Sequence, residues 1–168
     1  MAKPWKAGTA VDERTFEEAV LRLEPKLYRT ASAILWNDAD VADAMQECIV
    51  KAWRKLDSLR DEQKFDAWVT RILINECRNS RRRGRHSAAS FNEAMAGAAV
   101  EAPVDLGLRE ALRQLPENLR LPLLLHHMDG YTLEEISPML HLPVSTLKGR
   151  LYEARKRLKA LLGEEAFL

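Results

Sequence analysis

The chain has 168 residues, 46% of them hydrophobic and 30% charged, with a formal net charge of +1. That length supports one modest hydrophobic core or two small ones, and the near-neutral balance means that any contact with nucleic acid must come from local clusters of charge. No apolar run approaches the ~20 residues of a membrane span, Met1-Ala2-Lys3-Pro4-Trp5 leads into polar residues instead of a signal-peptide core, and Cys48 and Cys77 have neither metal-ligand nor disulfide spacing. Export, membrane embedding and a disulfide scaffold are thereby excluded as expectations, and the reducing cytoplasm is the expected compartment.

Residues 1–14 read as a flexible polar leader. Thr15-Phe16-Glu17-Glu18 offers a capping box, after which Phe16, Val20 and Leu23 recur at helical spacing. Pro25 lacks an amide hydrogen, so a break is expected near Glu24, with a second helix carrying Leu27, Ala31, Ile34 and Leu35. After the turn Asn37-Asp38-Ala39-Asp40, a third helix carries Val41, Met45, Cys48, Ile49, Ala52, Trp53 and Leu56 on one stripe, with acids in its opening turns where the helix dipole favours them. Residues 57–64 read as a polar loop. A fourth helix then begins with Phe65, Trp68, Val69, Ile72 and Leu73 and ends in Arg78-Asn79-Ser80-Arg81-Arg82-Arg83.

Residues 84–106 are dominated by Ala, Ser and Gly and read as a flexible linker, since they bury too little apolar surface to offset chain ordering. Beyond it, Leu108, Leu112 and Leu115 form a short helical stripe, Pro116 restarts the chain, and Leu119 to Met128 forms a helix ended by Asp129-Gly130. Thr132-Leu133-Glu134-Glu135 is a second capping box, opening a helix that Pro138 should shorten or kink. A last helix runs from about Val144 to Leu162, with Leu147, Leu151, Ala154, Leu158 and Leu161 buried. Nothing alternates with strand period. The expected fold is all-α: two small helical domains, 15–83 and 107–168, joined by the linker.

The short capped helix, three-residue turn and longer helix of the second half make a helix-turn-helix, whose second helix enters the DNA major groove. Its basic residues Lys148, Arg150, Arg155, Lys156, Arg157 and Lys159 are opposed mainly by Glu153. Ser145, Thr146, Lys148, Gly149 and Tyr152 stand near its start as candidates for base-edge contact, with Glu153 as an acceptor for a cytosine amino group; Arg150 and Arg155 complete the candidate duplex-reading set. In the first half, the arginine-rich helix end follows a polar loop and the aromatics Phe65 and Trp68, the ingredients of a site that holds a melted strand. Arg60, Lys64, Arg71, Asn75, Arg78, Asn79, Arg82 and Arg83 are its candidates, while Trp68 is expected to pack inside. The bland alternative for both clusters is a solvated basic helix face. Phosphate-cradling Gly loops, metal-spaced ligand sets and a nucleophile with its base are not found, so neither an enzyme nor a cofactor nor a bound metal is expected.

Two motif sets in one order resemble the extracytoplasmic-function group of bacterial RNA polymerase sigma factors. The run from Asp40 to Trp53 looks like the family's core-polymerase-binding helix. Phe65-x-x-Trp68-x-x-Arg71-Ile72-x-x-Asn75, with the following arginines, looks like its promoter-melting segment. Leu115-Pro116-x-x-x-Arg120, Gly130-Tyr131-x-x-Glu134-Glu135-Ile136 and Thr146-Leu147-Lys148-x-Arg150-Leu151-x-x-Ala154-Arg155-x-x-Leu158 look like its second domain. The resemblance implies that Asp43, Gln46, Glu47, Lys51 and Trp53 dock on the clamp coiled coil of core RNA polymerase. It further implies that domain 15–83 reads and opens the minus ten element, that domain 107–168 reads the minus thirty-five element, and that a membrane-bound or soluble anti-sigma factor controls the protein. A two-component or quorum-type regulator would share the helix-turn-helix but leave the Asp43-to-Trp53 helix and the arginine cluster unexplained, and a helical adaptor would leave both basic clusters without a role. His141 stands in the turn where the family often has Gly, and His126-His127 has no family role; one ring is expected to face the core and the other solvent.

Overall fold

The computed structural model describes residues 12–86 and 106–163, so most of the expected leader and linker lies outside the described residues. The chain divides into two compact units between residues 96 and 97. Every described regular element is helical.

In the first unit, α1 spans Glu13–Ile34, α2 Asp38–Arg54 and α3 Phe65–His86. Helix α1 starts three residues earlier than a Thr15 cap would place it, because Asp12 and not Thr15 is the N-cap: the Thr15 amide donates to Asp12 Oδ1 at 2.8 Å. The Thr15 hydroxyl first, and then its amide, hold the Asp12 carboxyl below its usual pKa range. The break expected at Pro25 is absent, and α1 runs through it. A helix-interior proline costs about 3 kcal/mol, but Phe16, Ala19, Val20, Leu23, Leu27, Ala31 and Ile34 form one uninterrupted buried stripe on both sides of it. Each fully buried large aliphatic side chain contributes about 1.5–3 kcal/mol, so packing outweighs the lost bond. Pro25 and Leu21, whose carbonyl loses that partner, both lie on the solvent side.

Helix α2 is capped by Asn37, whose Oδ1 accepts from the Ala39 amide at 2.8 Å, and it buries Val41, Ala44, Cys48 and Ala52. Phe65, Val69, Leu73, Ile74 and Cys77 of α3 complete the core. Burial pushes the Cys48 thiol up to about 12, which makes it an inert core residue. The loop between α2 and α3 is more ordered than a bare polar connection: it forms two short 3-10 turns, Leu56–Ser58 and Glu62–Lys64, with Asp61 capping the second through the Gln63 amide at 2.9 Å. Lys51 Nζ bridges to Glu76 Oε1 at 2.6 Å and joins α2 to α3. Arg22 reaches Asp66 at 2.9 Å and joins α1 to α3.

The second unit comprises α4 (Leu106–Gln114), α5 (Glu117–Leu123), α6 (Leu133–Leu140) and α7 (Val144–Leu162). Ala111, Leu115, Leu119, Leu123, Leu151, Ala154 and Leu158 form one buried cluster linking α4, α5 and α7. Leu161, expected on the same stripe, is 44% exposed, and its neighbour Leu162 packs against the cluster instead. The helix expected to continue to Met128 changes form after Leu123, where residues Leu124–Met128 make a π turn with the Asp129 amide bonded to the Leu124 carbonyl at 3.1 Å. Gly130 at φ 78° lets the chain reverse there, and the Tyr131 amide returns to the Leu125 carbonyl at 3.0 Å. His126 Nδ1 donates to the Tyr131 carbonyl at 2.8 Å, while His127 is exposed with its ring 4.9 Å from that of His126.

Helix α6 is short, and its capping box is complete: the Glu135 amide donates to Thr132 Oγ1 at 3.2 Å and the Thr132 amide donates to Glu135 Oε2 at 2.9 Å. Thr132→Ala is expected to destabilise the second unit by about 1 kcal/mol and to lower its melting temperature by ~4–8 °C. A thermal melt with no shift would show that the box contributes nothing. The chain leaves α6 through His141 in the left-handed region at φ 56°, and Ser137 Oγ donates to the Leu142 carbonyl at 2.6 Å across the turn.

Candidate nucleic-acid and polymerase interface

Helices α2 and α3 each carry their candidate residues outside the core, but the residues do not form one patch. Successive residues on a helix are about 100° apart, and on α2 this puts Asp43, Gln46, Glu47 and Val50 on one exposed face. Lys51 lies on the flank toward α3, held by its bridge to Glu76, which is 5% exposed. Trp53 lies on the opposite flank, 42% exposed, with its ring edge-on to Phe16 at 5.1 Å. The docking set expected from the sequence therefore divides into an open polar face and two flanking residues tied to neighbouring helices.

On α3, Arg71, Asn75, Arg78, Asn79 and Arg82 share a single outward face. Trp68 begins that face partly buried, its ring tilted against Phe65 at 6.2 Å. Arg60 and Lys64 are exposed in the loop that leads into the helix. The loop is fixed at both ends, by Ser58 Oγ donating to the Lys55 carbonyl at 2.6 Å and by the Asp61 cap. Arg83, one step round the helix from Arg82 and one turn beyond Asn79, lies at the edge of the α3 face: with Ser80 and Gly84 it lines a cleft whose other wall is Asp40, Asp43, Gln46, Glu47 and Val50 of α2.

On α7, Leu147, Leu151, Ala154 and Leu158 bind the helix to its core. Ser145, Lys148, Gly149, Tyr152 and Lys156 line the exposed side, Tyr152 at 66% exposure. The helix opens at Pro143 with no side-chain cap, so its first amides are directed outward without a side-chain acceptor. Gly149 has nothing within 4 Å of where a Cβ would sit, which leaves the backbone open to close approach. Arg150 is half-buried on the far flank, and Glu153, the expected base acceptor, accepts from Arg157 Nε at 2.8 Å. Arg155 lies toward His127. Burial first, then His126 and Arg155, hold the His127 pKa below its ordinary value, favouring the neutral ring.

Arg120, which follows Leu115-Pro116 in the chain and has no task assigned by the sequence, proves to be structural. It is 6% exposed, and its Nη1 donates to the carbonyls of Leu115 at 2.9 Å and Arg113 at 3.2 Å, closing the end of α4. Burial pulls its pKa down from the ordinary arginine value, with the Glu117 carboxylate opposing. A fixed five-donor fork suits the cluster of carbonyls at a helix end better than a lysine would. The only signal for this role in the sequence is an arginine one turn after Leu115-Pro116, which is too little to assign it.

Comparison with known proteins agrees with these two assemblies. Residues 19–87 match Sigma-70 region 2 and residues 106–158 match Sigma-70, region 4. The ECF RNA polymerase sigma-E factor of Escherichia coli strain K12 is 33% identical over 165 residues, covering 88% of this chain and 86% of that protein. The RNA polymerase sigma-H factor of Pseudomonas aeruginosa is 29% identical, covering 91% of each chain. Among solved structures, the sigma factor RpoE from Bartonella quintana, in complex with the anti-sigma factor NepR, superposes with a TM-score of 0.76 at 27% identity, covering 89% of this chain and 97% of that one. CnrH, in complex with the cytosolic domain of CnrY, gives 0.65 at 29% identity, with 90% and 89% covered. On the matching of both regions in order, and of nearly the whole length of its relatives, the chain belongs to the ECF group of RNA polymerase sigma factors and is a transcription initiation factor, not an enzyme.

Proposed function

We propose that the open face of α2, with Asp43, Gln46 and Glu47, docks on core RNA polymerase, and that Lys51 and Trp53 shape the edges of that face. The outward face of α3, with Arg71, Asn75, Arg78, Asn79 and Arg82, takes the minus ten element with Arg60 and Lys64 of the preceding loop. Unstacking a base there costs a few kcal/mol, offset by phosphate contacts and by holding the extruded base. Helix α7 takes the minus thirty-five element as duplex, through Ser145, Thr146, Lys148, Gly149 and Tyr152 at the groove and Arg150 and Arg155 along its sides, with Glu153 held beside Arg157. The reaction chemistry belongs to the polymerase; no cofactor or small-molecule substrate enters.

The observation that carries this reading is the separation of the acidic face of α2 from the basic face of α3. One unit can then hold a protein on one side and a polyanion on the other without like charges meeting. Among the described residues no helix is long and apolar enough to cross a membrane, and we place the protein in the cytoplasm, held inactive by an anti-sigma factor. RpoE was solved with such a partner.

Footprinting the holoenzyme on promoter fragments should show protection at two separate elements. Lys148→Ala should weaken the upstream protection and make the plot of log affinity against log salt shallower by about 0.9, the value of one neutralised duplex phosphate. An unchanged slope with unchanged protection would remove α7 from the duplex interface.

A further inference from the structure

We infer that Arg83, which its sequence neighbours would send to DNA, belongs to the polymerase-docking surface, where it receives a carboxylate from the partner. This inference rests on the docking role proposed for α2. Arg82 and Arg83 are adjacent in sequence but face about 100° apart: Arg82 sits at the centre of the face of Arg71, Asn75 and Arg78, whereas Arg83, one turn beyond Asn79, lies past its edge on the side toward α2. Arg83 lines the cleft between α2 and α3 with Asp40, Asp43 and Glu47.

The two walls of that cleft are held together at one end. Glu76 and Ser80 follow one flank of α3 at a four-residue step, and Glu47 and Lys51 follow the facing flank of α2 at the same step. The Lys51–Glu76 bridge at 2.6 Å fixes their spacing. Beyond it, among the described residues, none of Asp40, Asp43, Glu47 and Arg83 makes an ion pair. An arginine that shares a cleft with carboxylates and pairs with none of them leaves both signs available to a partner. A phosphate backbone does not fit here, because the carboxylates repel it. A helical protein surface that brings a cation to Asp43 and Glu47 and a carboxylate to Arg83 does fit, with Val50, 42% exposed, as an apolar contact at the cleft. Fixed, fork-shaped donors make arginine well suited to such a carboxylate.

The test measures affinity of the full-length protein for core RNA polymerase without DNA, and separately the binding of melted promoter strand by the assembled holoenzyme. Arg83→Ala and Arg83→Glu should weaken core affinity about tenfold and more than tenfold, respectively, while Arg83→Lys stays within about threefold. Arg82→Glu should leave core affinity within about twofold and impair strand binding. Circular dichroism should show all four variants folded, since both positions are on the surface. If Arg83→Glu keeps full core affinity and loses strand binding as Arg82→Glu does, Arg83 is a DNA contact and the inference fails. If Asp43→Arg also leaves core affinity unchanged, the α2 docking role itself is wrong, and Arg83 falls with it.

Discussion

Asp43→Arg is expected to lower transcription from cognate promoters on the order of a hundredfold, through loss of core binding and not of folding. Truncating or reversing one partner of a close interfacial charge pair costs about 2–5 kcal/mol, and each 1.4 kcal/mol is a factor of about ten in affinity. Asp43 is exposed near the middle of α2 and makes no ion pair among the described residues, so the fold loses nothing when it changes; such surface substitutions alter stability by about ±0.5 kcal/mol. Titrating labelled protein with core polymerase, alongside a thermal melt, separates the two effects. A variant that melts normally and binds core with native affinity would remove the acidic face of α2 from the interface.

The second large effect is expected from Arg78→Glu combined with Arg82→Glu. Both arginines lie on the outward face of α3, away from the α2 cleft, so assembly with core should survive while promoter opening falls, again on the order of a hundredfold. Each single-strand phosphate left without its arginine also makes the salt dependence shallower by about 0.7, and two reversed charges add repulsion to the strand that must be held. Permanganate reactivity of unpaired thymines reads the opening directly. Native reactivity in the double variant would show that this face is only solvated, which is the ordinary fate of a basic helix end.

Much of this was legible in the chain itself. The buried stripes at helical spacing define most of the helical segments, and the Thr132–Glu135 box forms as its residues specify. The all-helical fold and the family both follow from motifs in the right order. What the sequence misplaces is local. Pro25 suggests a break because propensity is a local quantity, whereas the stripe from Phe16 to Ile34 is a tertiary one. Asp12 and Thr15 are both good cap residues, each serving the amide three residues on, and only the path of the chain decides that the helix has already begun by Thr15. The π turn at Leu124–Met128 has no residue signature of its own. In the site, composition marks the arginine cluster but not its division: Arg82 and Arg83 are alike as letters and differ only in helical phase relative to α2. Glu153 likewise looks like a base acceptor until Arg157 is seen one turn away and bonded to it.

A sigma factor makes core RNA polymerase competent at specific promoters, so the purified protein mixed with core polymerase and templates from the source genome should yield run-off products. Defined transcripts that require both components, and that weaken with Asp43→Arg and with Arg82→Glu, are the predicted result. The contradictory result is the absence of both complex and transcript while the protein alone binds duplex DNA, which would make it a regulator that acts without joining the polymerase.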